Sequence, residues 1–371
     1  MIVGIPKEIK NNEFRVAITP DGVHELTAHV HQVLVEKNAG LGASITNEDY
    51  ELAGAKIINK QKEIWDAAEL ILKVKEPIES EYQLLQKDQV LFTYLHLAAS
   101  RLCTQALLDS GTTAIAYETV EDAAGHLPLL APMSEVAGRL ASQVGANTLM
   151  KPNQGRGVLL SGVPSVESAR VVVIGGGVAG LSAARIALGL GAQVTILDNN
   201  VNRLREIDLQ FEGRIKTVIS NKFQIEKQVK NADLVIGAVL VTGAKAPKLV
   251  SNKLVTRMKP GSVLVDIAID QGGCFEDSRP TTHDNPIFKV HESIFYCVAN
   301  MPGAVPHTST YALTNATLPY VMKLVTIGWK AAFESDFGFA KGLNVHAGLI
   351  TQRALSNEFN LPLTDLTNIL K

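Results

Sequence analysis

The stretch Arg170-Val-Val-Val-Ile-Gly-Gly-Gly-Val-Ala-Gly-Leu-Ser-Ala-Ala-Arg-Ile-Ala-Leu-Gly-Leu-Gly-Ala-Gln-Val-Thr-Ile-Leu-Asp198 decides the fold. An apolar, β-branched run meets glycines at 175, 177 and 180, then an Ala- and Leu-rich helical segment, then a second apolar run that ends on an acid. The pattern is strand, phosphate turn, helix, strand, acid. Gly175 permits a tight turn off the strand, Gly177 lets backbone amides approach a pyrophosphate, and Gly180 lets the helix lie close on the sheet. The helix N-terminus, at Val178 and Ala179, offers unpaired N–H groups and a positive dipole end to an anion. A glycine triplet alone is a weak signal; the flanking strand and helix, with an acid about 20 residues on, supply the context that dinucleotide binding requires. Asp198 is placed to accept hydrogen bonds from an adenosine ribose and to repel a 2′-phosphate, which predicts NAD over NADP. Arg203 and Arg205 are close enough in sequence to soften that preference, and solvated arginines on a helix surface are the alternative reading of both.

At 371 residues the chain fits two domains of usual size. With 46% hydrophobic and 19% charged residues it can bury substantial cores, and a net charge of −2 argues against a nucleic-acid partner. Cys103, Cys274 and Cys297, odd in number and far apart, form neither a disulfide framework nor a zinc pattern and read as reduced thiols. The N-terminus reaches Lys7 and Glu8 before a signal-peptide core could form, and no apolar run approaches the roughly 20 residues of a membrane helix. A cytoplasmic chain with no membrane or nucleic-acid partner is expected.

On the N-terminal side of the glycine turn, Met1–Ile5, Val33–Glu36, Leu70–Val74, Val90–Tyr94 and Thr113–Glu118 read as strands, with helix candidates at Asp21–His29, Asn47–Ala53 and Arg101–Leu108 between them. This alternation predicts a second parallel sheet wrapped by helices, without phosphate-cradling glycines. A helical pattern over Met133–Met150 leads into a loop with Pro152, Gly155 and Gly157 that reads as a connector. Further strands are expected near Arg214–Ile219, Ala232–Ala238, Ser262–Ile267 and Ile294–Val298. From Ser309 a long apolar helical run extends toward Ala332 and is expected to pack against the first domain or another subunit. The fold class is therefore α/β, with two doubly wound parallel-sheet domains. The substrate domain is discontinuous, 1–130 and 306–371, and the connector helix and Rossmann domain occupy 131–305.

Several polar residues stand where apolar strands end, which is where open α/β sheets bind ligands. Arg15 follows the first strand, Lys73 and Lys75 close Leu70-Ile-Leu-Lys-Val-Lys, His96 follows Val90-Leu-Phe-Thr-Tyr-Leu, and Asp270 follows Val263-Leu-Val-Asp-Ile-Ala-Ile. Alternation puts Lys73 on the face of Lys75; one of the two can be structural, and Lys75 lies nearer the strand end. Asp266 shares parity with Asp270 and can be a hydrogen-bonded structural acid. A cleft between two domains with a nucleotide on one wall would suit hydride transfer. His29 and His31 have no third ligand nearby, so no metal is expected. No HExxH, Walker lysine loop or GxSxG elbow is present.

The chain resembles the bacterial alanine dehydrogenases in Gly4-Ile-Pro-Lys-Glu, Asn11-Asn-Glu-Phe-Arg-Val-Ala-Ile-Thr-Pro, Leu72-Lys-Val-Lys-Glu-Pro, Phe92-Thr-Tyr-Leu-His-Leu-Ala, Pro132-Met-Ser-Glu-Val-Ala-Gly-Arg, Val265-Asp-Ile-Ala-Ile-Asp-Gln-Gly-Gly and Asn300-Met-Pro. These stretches span nearly the whole chain; the part after about Lys341 matches loosely. The resemblance implies reversible conversion of L-alanine, NAD and water into pyruvate, ammonium and NADH. It implies that Arg15 and Lys75 hold the substrate, that His96 acts in acid–base steps, and that Asp270 serves the catalytic centre. It carries cofactor contacts to Ser134, the Gly175–Gly180 turn, Asp198, Arg203, Ser220, Val239, Leu240 and Asn300, and it implies a homohexamer. The superfamily also holds the soluble NAD-binding component of proton-translocating transhydrogenases and saccharopine-forming lysine dehydrogenases. A hydride relay between two nucleotides, or an NAD sensor, would not need Arg15, Lys75, His96 and Asp270 as a group.

Overall fold

The computed structural model describes residues 1–239 and 246–371; the expected cofactor position Leu240 lies outside the described residues. The chain divides into two compact units, Met1–Met133 with Val305–Lys371, and Ser134–Ala304.

The first unit is built on an eight-stranded sheet of β1 (Ile2–Ile5), β2 (Gln32–Glu36), β3 (Lys56–Ile58), β4 (Leu70–Leu72), β5 (Val90–Thr93), β6 (Thr113–Ala116), β14 (Leu343–His346) and β15 (Leu349–Ile350), in the order β15-β14-β6-β5-β4-β1-β2-β3. The first six strands pair in parallel. Their order reverses direction between β1 and β4, so the loops leaving these two strands diverge to opposite faces and leave a crevice at the carboxyl end. The edge is closed by two antiparallel strands from the C-terminus. Sequence reasoning missed that hairpin and the three-residue edge strand β3, because none of these short strands shows the continuous apolar run of β4–β6. The apolar run from Ser309 forms the helix Pro306–Ser335, which breaks at Gly328 (φ 77, ψ 158) and buries Leu313, Val321, Leu324 and Phe333 within this unit.

The second unit carries the sheet β7 (Arg170–Ile174), β8 (Gln193–Asp198), β9 (Lys216–Ile219), β10 (Leu234–Gly237), β11 (Val263–Asp266), β12 (Ile287–Val290) and β13 (Ser293–Tyr296), in the order β12-β13-β11-β10-β7-β8-β9. All neighbours are parallel except β12, which returns antiparallel along β13. Alternation in β7 sorts its side chains into two layers. Val171 and Val173 pack with Ala183, Ala184 and Ala187 of the helix Val178–Gly189, while Val172 and Ile174 join Val229, Leu264 and Phe295 on the other face. Each fully buried Val, Leu, Ile or Phe side chain among these contributes about 1.5–3 kcal/mol. The helix Ala131–Thr148 enters this unit and bonds the next helix through Ser142 Oγ, which donates to the Ala183 carbonyl at 2.7 Å. The loop containing Pro152, Gly155 and Gly157 lies inside the second unit and is not a link between the two. The backbone of Gly155 presses on Thr148 and Leu149, where an added Cβ would stand 2.2 Å from the Thr148 oxygen.

Candidate functional site

In the second unit most of the expected cofactor positions lie near the carboxyl ends of the parallel strands, on both sides of the reversal between β7 and β10. Gly175 has φ +102, and a Cβ there would stand 2.6 Å from the Ala238 oxygen. At Gly180 an added Cβ would stand 1.8 Å from the Gly175 oxygen, so the helix can press on the turn only with glycine at this position. A Cβ at Gly177 would meet nothing within 4 Å, which leaves open space in front of the helix N-terminus. Three glycines thus do three different jobs, and the site fits a pyrophosphate over the first turn of the helix.

Asp198 ends β8 and holds the turn from the side. Its Oδ2 accepts from the Gly176 N–H at 2.7 Å and its Oδ1 from the Asn200 N–H at 2.8 Å. A carboxylate has about four lone-pair sites, so the geometry leaves capacity for ribose hydroxyls. Arg203 is half-buried and is no solvated surface arginine: Nε donates to the Gly176 carbonyl at 2.7 Å and Nη1 to Glu206 at 2.7 Å. Arg205 is exposed and bonds Asn202. Ser220 follows β9, its N–H donating to the Asp198 carbonyl at 2.8 Å. Val239 follows β10 and Asn300 lies past β13 with φ +68, while Ser134 stands on the first turns of the helix Ala131–Thr148.

The parity argument for Asp266 and Asp270 fails. β11 stops at Asp266, and Asp270 stands on the tight turn Ile267–Gln271, exposed, while Asp266 is fully buried. Burial pushes the Asp266 carboxyl above the usual carboxylate range, although four hydrogen-bond donors pull the other way.

In the first unit the crevice between β1 and β4 is lined with buried charge. Arg15, 2% exposed, gives Nε to Glu13 Oε1 at 2.7 Å and Nη2 to Glu13 Oε2 at 2.5 Å, a two-point pair, and its Nη1 lies 3.0 Å from the Met133 sulfur. Burial alone would raise the Glu13 carboxyl; the Arg15 charge and hydrogen bonds, helped by Lys75, outweigh it and hold the group at about 2. Lys73 and Lys75 both follow the end of β4. Lys73 is sealed between Glu8 (3.2 Å) and Glu81 (2.9 Å), so it is the structural member of the pair. Burial pushes Glu8 up against the pull of Lys73, while its Oε1 accepts the Val74 N–H at 2.6 Å and the Lys75 N–H at 3.3 Å. Lys75 is buried, and the charge of its side chain acts on Glu13.

His96 leaves β5 in the left-handed region (φ 46, ψ 37), a conformation uncommon for a residue other than glycine. The Glu118 carboxylate, just past β6, accepts the His96 N–H at 2.6 Å, and the ring lies parallel to Tyr94 with centroids 5.9 Å apart. The imidazole stays 36% exposed. Tyr94 is buried and senses the Arg15 charge, so Arg15, Tyr94 and His96 belong to one neighbourhood, joined to Lys75 through Glu13. Asp270 belongs to the other unit. Sequence reasoning missed Glu8, Glu13, Glu118 and Tyr94. The signal that could have found Glu13 is Arg15 itself, because an arginine expected inside a crevice needs a carboxylate within reach.

Among the described residues, no helix is long and apolar enough to cross a membrane. The profile described as "Alanine dehydrogenase/PNT, N-terminal domain" matches residues 4–137, and "Alanine dehydrogenase/PNT, C-terminal domain" matches residues 141–353. The chain is 63% identical over 370 residues to an alanine dehydrogenase of Mycolicibacterium smegmatis and 55% identical over 370 residues to one of Halomonas elongata, with 100% of both chains covered in each case. A solved L-alanine dehydrogenase superposes with a TM-score of 0.93 at 52% identity, covering 97% of this chain and 99% of that one. A solved transhydrogenase from Sinorhizobium meliloti superposes with a TM-score of 0.82 at 25% identity, covering 94% and 100%.

Proposed function

Because this chain belongs to the alanine dehydrogenase/PNT family, we propose that it catalyses the reversible oxidative deamination of L-alanine to pyruvate and ammonium with NAD as hydride acceptor. The observation that carries the reading is full-length identity of 63% to an alanine dehydrogenase, against 25% to the transhydrogenase that represents a hydride relay. The substrates are small molecules. A cytoplasmic homohexamer is part of the proposal by resemblance.

The cofactor belongs in the second unit, over Gly175–Gly180, with the pyrophosphate on the N–H groups of Val178 and Ala179. Asp198 would accept from the adenosine ribose and Arg203 would hold the turn through the Gly176 carbonyl. Ser134, Ser220, Val239, Leu240 and Asn300 would contribute the remaining contacts. When bound, NAD supplies the acceptor for the hydride that leaves Cα.

The first unit would hold the amino acid. The Glu13 carboxylate already takes one edge of the Arg15 guanidinium, so the substrate carboxylate reaches Nη1 by displacing a thioether, a weak acceptor. Lys75 adds a compact second charge at the carboxylate or the carbonyl oxygen. His96, exposed enough to meet the substrate, held at its backbone by Glu118 and with its ring parallel to Tyr94, would take the ammonium proton before hydride leaves and return it after water adds to the iminium. Asp270 would orient the amine or the attacking water.

The test follows NADH absorbance in alkaline buffer with L-alanine and NAD or NADP, then with pyruvate, ammonium and NADH. Turnover in both directions with NAD supports the reading. NAD binding without oxidation of any amino acid refutes it and favours the relay.

A further inference from the structure

We propose that Asp266 is a positioning residue of this reaction: its buried carboxylate clamps the turn that carries Asp270 and so fixes where the Asp270 carboxylate stands. The inference rests on the role proposed for Asp270 and extends it to a residue that role leaves unexplained.

After β11 the chain turns tightly over Ile267–Gln271 and comes back through Gly272 and Gly273, whose φ angles are +86 and +74. The Asp266 side chain reaches both feet of this turn. Oδ1 accepts the Ala268 N–H at 3.0 Å on the outward limb; Oδ2 accepts the Cys274 N–H at 2.9 Å and the Phe275 N–H at 3.3 Å on the return. Ser278 Oγ donates to the same Oδ2 at 2.5 Å. Two backbone bonds close the loop, Gly272 N–H to the Ile269 carbonyl at 2.9 Å and Gly273 N–H to the Ala268 carbonyl at 3.0 Å.

With the Cys274 thiol, which donates to Oδ1 at 3.5 Å, five donors converge on one buried side chain and require an acceptor-only group. Asparagine would turn an NH2 toward at least one of them, and the buried donors would lose their partners. The fit extends to the backbone. A Cβ at Gly273 would stand 2.7 Å from Asp266 Oδ2, and one at Gly237 of β10 would stand 2.2 Å from Cys274 Sγ, so the return limb is seated on the sheet as well as on the carboxylate. Asp270 is the exposed charge on this turn, whose far side is also held by the Ala246 N–H on the Gln271 carbonyl at 3.0 Å and by Lys248 Nζ on the Gly272 carbonyl at 2.6 Å. A carboxylate that must face a reacting amine or water within a fraction of an ångström needs such a base.

The experiment compares the full chain with Asp266→Asn, Asp270→Asn and the double variant, measuring kcat, KM for L-alanine and NADH affinity. Hydrogen exchange of residues 267–275 is followed in the same proteins. Failure of the wild type to oxidise L-alanine refutes the proposed function; the clamp is then judged by exchange alone, faster exchange confined to the turn supporting it and unchanged exchange overturning it. With an active wild type, D266N is expected to lose about tenfold or more in kcat while NADH affinity stays within about twofold. In the D270N background the same substitution should change residual kcat by less than about twofold, because the two residues act as one unit. Equal fractional losses in the two backgrounds, wild-type kcat in D266N, or wild-type kcat in D270N each overturn the inference. Where D266N does not fold, Ser278→Ala removes one donor and no charge and takes its place in the same cycle, with the same two outcomes.

Discussion

Replacing Lys73 by methionine tests the reading of the crevice in the first unit as a charge network. The ammonium is 0% exposed and stands 3.2 Å from Glu8 and 2.9 Å from Glu81, whose side chains are 3% and 1% exposed. Each contact is worth on the order of 5 kcal/mol at an effective dielectric near 20, most of it offset by the desolvation of three charges. Removing one partner from a buried pair costs about 3–5 kcal/mol. Hydrogen bonds that survive the substitution, from Val74 N–H to Glu8 and from Gln61 and the Ile78 N–H to Glu81, place the expected loss near the lower end, about 3 kcal/mol at pH 8. Without Lys73 the Glu8 carboxyl, already pushed up by burial, loses the charge that pulls it down, so the folded variant binds more protons than the unfolded chain, and its stability falls as pH rises through that window. The deficit should therefore shrink from pH 8 to pH 5.5. Both tryptophans, Trp65 and Trp329, lie in the first unit, so tryptophan fluorescence during urea unfolding reads that unit alone. A loss below about 1 kcal/mol at pH 8, or an equal loss at both pH values, would refute the network as a cooperative buried unit. The triple variant E8Q/K73M/E81Q should regain most of the loss.

Gly180→Ala drives a Cβ to 1.8 Å from the Gly175 oxygen; a stability loss of about 1–3 kcal/mol and loss of NADH binding are expected, read by thermal unfolding and fluorescence titration. Glu13→Gln removes the charge from the two-point pair with Arg15, and KM for L-alanine should rise more than kcat falls. Because the Glu13 carboxyl sits at about 2 in the fold against 4.5 free, its contribution to stability is full above pH 4.5 and lost as pH falls toward 2; E13Q should flatten this limb of the acid-unfolding curve. Asp198→Ala should narrow the NAD over NADP preference in kcat/KM, an unchanged ratio removing Asp198 from cofactor choice. His96→Ala should abolish turnover and keep NADH affinity, and an active variant would exclude the imidazole from the chemistry.

The architecture was legible wherever one physical signal dominates a segment. Arg170–Asp198 carries apolar runs, glycine spacing and a closing acid in one line, and β7, its helix and β8 fall where these signals put them. β3 and the C-terminal hairpin were not legible, since a short edge strand draws its stability from a neighbour and leaves little trace in its own composition. Among the candidate site residues, position after a strand was enough to single out Arg15, Lys75 and His96 as members of one neighbourhood. It was not enough to separate Lys73 from Lys75, which differ in what surrounds them and not in type. Glu13 was passed over for a related reason: an acid two residues from an arginine reads as solvated until burial is known, whereas Asp266, inside an apolar run, could already be read as a hydrogen-bonded structural acid.

The late strand β14 sets a constraint on how this chain becomes a protein. Thr113 beside it bonds His346 across a separation of 233 residues, and closing a loop of that length from a flexible chain costs about 5 kcal/mol of entropy. During synthesis β1–β6 leave the ribosome long before their last neighbours exist, and the edge of β6 waits bare while the whole of Ser134–Ala304 is made. Early folding of the inserted unit takes its residues out of the fluctuating loop and lowers the cost of the final pairing. The open edge of β6 is thus a point at which nascent chains of this protein are exposed to a chaperone or to one another.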